Sequence, residues 1–177
     1  MKGSYTKFNY ELRTAKAIER KMIIEVFKQL SRFLKLEDYR YVGFGSIFFK
    51  DFKLFHKGLG ITDMISIERD IDHFKRFEFN RPYNCIELKM GDSGEVLLEL
   101  NWDKKNIIWL DYDDALKPYM FEDIATVFTR MNSGSIFFMT CNYSFPEYSE
   151  KPGEYKFDLF KKDFEEHKKV MLNLPEN

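Results

Sequence analysis

The sequence predicts an α/β fold: a doubly wound, mostly parallel sheet of about five strands with flanking helices. Three observations predict it. Short apolar runs alternate with segments of helical periodicity over most of the 177 residues, the pattern of successive βαβ units. The strand-like runs are short and largely apolar, as strands of a parallel sheet covered on both faces are. Each run ends on a glycine, an acid or a polar residue. Right-handed crossovers then make an open sheet with helices on both faces the natural architecture.

The elements follow in order. From about Tyr10 to Leu34, Leu12, Ala15, Ile18, Met22, Ile23, Val26, Phe27 and Leu30 recur at helical spacing with no Gly or Pro, so residues 10–35 should form an amphipathic helix. Tyr39 to Phe44 reads as a strand ending in Gly43-Phe44-Gly45-Ser46, followed by a helix through Phe48, Phe52 and Phe55 that stops at Gly60. The alternation repeats: strand Met64 to Ile67 ending at Glu68, helix Asp72 to Phe79, strand Cys85 to Met90, helix Glu95 to Leu100. Asn106 to Leu110 is a fourth strand ending at Asp111. Pro118 to Met131 is a helix with Phe121, Ile124, Ala125 and Phe128 on its apolar face, and Ser135 to Thr140 is a fifth strand. Breakers at Pro146, Pro152 and Gly153 mark a loop, and 154–172 reads as a charged amphipathic helix. The expected organisation is one domain over 1–177, with an N-terminal helix at 10–35, a core at 39–142 and a C-terminal helix at 154–172.

Composition narrows the function classes. With 28 basic and 29 acidic residues the net charge is −1, so there is no strong nucleic-acid signal and no broad attraction to an anionic membrane. Nineteen Phe and ten Tyr predict a ring-rich core and ring-walled pockets. Cys85 and Cys141 lie in apolar runs and read as buried free thiols. His56, His73 and His167 are too scattered for a structural zinc site. No signal peptide or membrane-spanning run is present in the sequence, which gives a cytoplasmic location as the expectation.

Ligands of open parallel sheets bind beyond the carboxyl ends of the strands, so the strand ends are the candidate site. Gly43 and Gly45 let backbone approach a ligand closely, and Ser46 follows them. Glu68, about 25 residues on, can accept hydrogen bonds from both hydroxyls of a ribose. Asp92 either accepts from an adenine amino group or caps the next helix. Asp111-Tyr112-Asp113-Asp114 is the densest acid group; an acid there can act as general base or orient an acceptor amine or hydroxyl. Asp111 with Asn142 could also offer oxygen ligands to Mg²⁺. On the first helix Arg13, Lys16 and Arg20 share one side. That side is either a solvated face or one that leans over the ligand edge to contact a carboxylate or phosphate.

Taken together, these residues resemble class I S-adenosylmethionine-dependent methyltransferases over Tyr39 to Asn142. The resemblance implies that Gly43, Gly45 and Ser46 wrap the methionine part, Glu68 the ribose and Asp92 the adenine. Asp111, Tyr112 and Asp113 then lie at the catalytic position, beside the sulfonium and an acceptor for O- or N-methylation. Tyr41 stands where the family's glycine loop often begins with an acid, and no third glycine follows. The family's closing antiparallel strands are missing: either that region is reduced to a helix, or the chain is the N-terminal part of something larger. The tetrad is not the DPPY-type signature of amino-methyltransferases acting on DNA bases. Alternatives stay open. Ile107 to Asp113 also resembles the nucleophile motif of haloacid-dehalogenase-type phosphatases, with Asp111 and Asp113 in its paired positions and Thr140 in the second motif. A dinucleotide-dependent oxidoreductase would explain Gly43 and Glu68 but not Phe48, and a non-catalytic Rossmann-like nucleotide- or partner-binding module needs no turnover at all. The acceptor, small or macromolecular, is not legible, and neither is a homo-oligomer or partner protein.

Overall fold

The computed structural model of the protein describes residues 14–142; Arg13 and the helix expected at 154–172 lie outside them. The elements are α1 (Thr14–Leu30), β1 (Arg40–Gly43), α2 (Lys50–Leu59), β2 (Asp63–Glu68), α3 (Phe74–Asn80), β3 (Ile86–Met90), α4 (Ser93–Glu99), β4 (Asn106–Ala115), α5 (Pro118–Arg130) and β5 (Ile136–Asn142). Short 3₁₀ turns at Ser46–Phe48 and Ile71–His73 lead into α2 and α3. Local chemistry explains several boundaries. Gly60 ends α2 in the left-handed region (φ 71°) and its N–H returns to the His56 carbonyl at 3.1 Å. Pro118 opens α5, where a missing N–H costs nothing.

The five strands form one sheet in the order β3-β2-β1-β4-β5, every pair parallel. The chain therefore winds outward from β1 to β3, crosses back and winds outward again through β4 and β5. Helices fall on both faces accordingly. On one face Ile24 and Phe27 of α1, Phe52 and Phe55 of α2 and Phe77 of α3 pack on Tyr41, Met64 and Trp109. On the other, Val96 and Leu97 of α4 with Met120 and Val127 of α5 pack on Val42, Ile65, Ile108 and Leu110. The winding direction reverses between β1 and β4, so their carboxyl ends flank the crevice where this topology admits a ligand.

Four expectations need correction. The fourth strand does not stop at Leu110; it runs through the acid tetrad to Ala115, with an irregularity in its pairing to β5 between Asp111 and Ala115. The buried face of α5 is Met120, Asp123 and Val127, while Phe128 is exposed, because a buried acid is held there by partners described below. Cys141 is exposed and Cys85 half-buried. Cys141 lies near the end of β5, the outermost strand of the sheet among the described residues. On α1, Ile24 and Phe27 are buried but Ile18, Met22 and Val26 are exposed. They line an apolar groove of about 760 Å³ against Ile136 to Thr140 of β5. Among the described residues, no helix is long and apolar enough to cross a membrane.

Candidate active site

Period-two alternation fixes what β4 presents at its tip. Ile107 and Trp109 pack with α1 and α2, whereas Ile108, Leu110 and Tyr112 pack with α4 and α5. Asp111 and Asp113 therefore emerge on the α1 side, Tyr112 and Asp114 on the α5 side. Asp111 and Asp113 line a small cleft of about 70 Å³ with Arg20, Gly45, Ser46 and Asp51. The apolar groove beside β5 is far larger, but among the described residues its walls carry one carboxylate, Glu19, and no cation. Charged groups and the glycine loop converge in the small cleft, which is where chemistry is possible.

Asp111 is held from two directions. Lys16 of α1 donates to its Oδ1 at 2.6 Å, and the hydroxyl of Thr140, its register partner on β5, donates to the same oxygen. The Lys16 ammonium also lies 5.7 Å from the centre of the Trp109 ring. Burial works against the charge on Lys16, but the bonds and charges of Asp111 and Glu19 outweigh it, and its pKa is raised. Among the described residues, Oδ2 of Asp111 is left without a bond. One turn along α1, the Arg20 Nε donates to Asp51 of α2, and both side chains are largely buried. Burial pushes the Asp51 carboxyl up, against the pull of Arg20. Burial also opposes the Arg20 charge, yet Asp51 raises its pKa overall. Tyr41, in the place of the expected acid, is fully buried; burial first, then the Asp51 and Asp111 charges, push its phenol well up, so it stays neutral. The basic side of α1 thus leans over the ligand edge.

The glycine loop is tied to β2 through a relay. The Gly45 N–H donates to the Ser66 hydroxyl at 3.0 Å, and that hydroxyl donates to Glu68 Oε1 at 2.7 Å. Glu68 is 5% exposed. Burial raises its pKa from 4.5 to about 7, against the bonds from Ser66 and from the Gly45 and Ser46 amides. The glycines are needed first for packing: a Cβ on Gly43 would come within 2.6 Å of the Tyr41 hydroxyl, and one on Gly45 would collide with Ser66 and the Phe49 ring. Ser46 and Phe49 both hold positive φ, 47° and 48°, a conformation that costs about 1 to 3 kcal/mol for non-glycine residues and clusters at functional loops.

The remaining candidates separate. Asp92 stands at the N-cap position of α4 but makes no side-chain cap bond; its carboxylate is exposed, 3.9 Å from Arg69. The bond anchoring α4 comes instead from Ser93, whose hydroxyl donates to Asp123 at 2.5 Å. Tyr112 is not in the cleft. Its hydroxyl donates to the same Asp123 oxygen at 2.5 Å, and burial followed by that carboxylate pushes its pKa far up. Asp114 accepts from Tyr119 at 3.2 Å and pairs with Lys117. Tyr119 is pushed up to about 12 by burial and by Asp114. The Asp111–Asn142 pair suggested for Mg²⁺ does not assemble. Thr140 is the register partner of Asp111, and the Asn142 amide donates to the Asp113 carbonyl. Among the described residues, no three His, Cys, Asp or Glu side chains group as a metal site.

Sequence reasoning passed over Asp51, Ser66 and Asp123. Asp51 and Asp123 share one retrospective signal: each is an acid among the buried residues of its helix, beside Phe52 and Phe55 or between Met120 and Val127. Comparison with known proteins adds a family. Residues 8–174 match the one described as "Putative O-methyltransferase". No curated protein matches the chain.

Proposed function

The chain belongs to that methyltransferase family, and from this membership we propose that it transfers a methyl group from S-adenosylmethionine to a hydroxyl oxygen. The observation that carries the reading is the convergence, at the β1/β4 reversal point, of the glycine loop, the Glu68 relay and the Asp111 carboxylate.

The residues fit such a cofactor. Glu68 ends β2 accepting from Ser66 and from the Gly45 and Ser46 amides, and a carboxylate has about four acceptor sites, so capacity remains for one ribose hydroxyl. Asp92, exposed and without a capping role, is available to an adenine amino group. Gly45 and Ser46 border the cleft in which the methionine end would lie. When bound, the cofactor supplies a methyl group on a positively charged sulfur, a strong electrophile that needs little further activation.

The protein's own task is then to position the acceptor and take its proton. Lys16 and Thr140 fix Asp111 through Oδ1, which leaves Oδ2 to accept from the acceptor hydroxyl and remove its proton as the oxygen attacks. Asp113, on the same side of β4, contributes negative potential near a cationic centre. Tyr112 has no part in this chemistry; it supports the strand from the opposite face.

Calorimetric titration with S-adenosylmethionine and S-adenosylhomocysteine, with NAD and ATP as controls, tests the reading. Binding of the first two at micromolar concentration, and raised thermal stability in their presence, is expected. Binding of NAD or ATP instead would overturn it, as would Asp111-dependent phosphate release from a phosphate ester.

A further inference from the structure

The small cleft carries charges of both signs. Arg20 and Lys50 line it together with Asp51, Asp111 and Asp113. The part of the proposed cofactor that carries both signs on neighbouring atoms is its α-amino-acid end. Resting on the cofactor reading above, we infer that Arg20 is the anchor for the α-carboxylate of that end, with Asp51 as the residue that holds the guanidinium in place.

Three features argue for it. The first is position: α1 brings Arg20 to the border of the glycine loop, where it shares the cleft with Gly45 and Ser46. The second is geometry. The Arg20 Nε is used on Asp51, and among the described residues the terminal nitrogens make no bond. A guanidinium fixed through Nε presents its terminal edge as a planar fork, the arrangement that suits a carboxylate. Among the described residues, no sealed-off side-chain nitrogen or oxygen lacks a partner. The terminal nitrogens are therefore not sealed from solvent, and the residue lines the cleft. The third is charge. Three carboxylates beside two cations repel a simple anion, whereas an ammonium carried next to the carboxylate answers them. A role limited to neutralising Asp51 would explain the ion pair, but not why Arg20 lines the cleft beside Gly45 and Ser46.

The experiment compares S-adenosylmethionine with its decarboxylated analogue, which keeps the adenosine, sulfonium and amine. Wild-type protein should bind the analogue at least tenfold more weakly, about 1.4 kcal/mol. Removing Arg20 alone would leave Asp51 buried without its partner, so the variant of choice is the double change Arg20→Gln with Asp51→Asn, which keeps a neutral hydrogen-bonding pair. It should bind S-adenosylmethionine at least tenfold more weakly, hold its affinity for the analogue, and so lose the discrimination. Arg20→Lys, which keeps the charge but not the fork, should fall between and serves if the double variant does not fold. A double variant, or Arg20→Lys in its place, that still discriminates as wild type does would overturn the assignment while leaving the cofactor reading intact. Failure of wild-type protein to bind either compound would overturn both.

Discussion

The two faces of the β4 tip carry similar chemistry and use it differently. On the α1 side, Asp111 meets a lysine and a threonine, both bonded to one oxygen, and among the described residues its other oxygen makes no bond beside the cleft. On the α5 side, Tyr112 and Ser93 both donate at 2.5 Å to an acid that is 2% exposed. What differs is the cover. The α1 side is reached by long cationic side chains, which neutralise charge while leaving room for a ligand. The α5 side is closed by a helix whose own acid completes the network. Open and charged against closed and satisfied is the contrast between a reaction site and a structural anchor.

The sharpest way to break this comparison is to remove one group from each face. Asp111→Asn keeps the shape and loses the base, so methyl transfer should fall roughly 10²- to 10⁴-fold, with binding of S-adenosylhomocysteine retained. Tyr112→Phe should leave turnover near the wild-type rate and lower stability by about 1 kcal/mol, the worth of one hydrogen bond. Initial-rate kinetics with calorimetry on both variants decides it. Turnover lost in Tyr112→Phe with stability unchanged would reverse the roles given to the two faces.

Much of this arrangement is legible in the sequence, and the illegible part has a physical cause. The strand–helix alternation, the parallel sheet and the glycine loop follow from local pattern, because buried parallel strands and helix periodicity are local properties. The tetrad misleads because acids seldom continue a strand. Asp111 to Asp114 look like a loop until Thr140 and Asn142 are known to lie alongside on β5 and supply partners. Once the segment is a strand, alternation alone removes Tyr112 from the site. Asp51 and Asp123 were missed for the same reason: a buried acid is tolerable only with partners, and Arg20 and Tyr112 lie 31 and 11 residues away in the chain. Long-range pairing of polar groups is the information a single sequence withholds.

Asp123→Ala tests the closed face next. It leaves the Tyr112 and Ser93 hydroxyls without their acceptor, and each unsatisfied buried group costs about 1 to 3 kcal/mol. A loss of about 3 kcal/mol corresponds to roughly 6 to 12 °C in melting temperature for a chain of this size. Because Ser93 opens α4 directly after Asp92, ligand affinity should also weaken slightly through the displaced loop. A melting temperature unchanged in this variant would mean that the α5 side is not an anchor.

The smallest effect concerns the one residue that belongs to both worlds, Glu68, buried like the anchor yet placed at the ligand edge. Burial raises its pKa from 4.5 to about 7. A carboxyl raised on folding contributes stability that is fully present below pH 4.5 and is lost as pH rises through about 7. Above pH 7, then, the ligand-free protein holds an ionised carboxyl that burial disfavours, and a ribose hydroxyl is the group that would relieve it. Ligand binding that requires the carboxylate should therefore tighten by up to about tenfold between pH 6 and pH 8, since protonation withholds most of the competent form at the lower value. Over the same interval the thermal stability of the ligand-free protein should decline. Glu68→Gln should flatten both profiles, because the amide does not titrate, and should be the more stable protein at pH 8. Calorimetric titrations at pH 6, 7 and 8 on the two proteins read both trends. Affinity that is independent of pH in the wild type would remove Glu68 from the ligand's reach and leave it as a latch for the glycine loop, on the anchor side of the comparison.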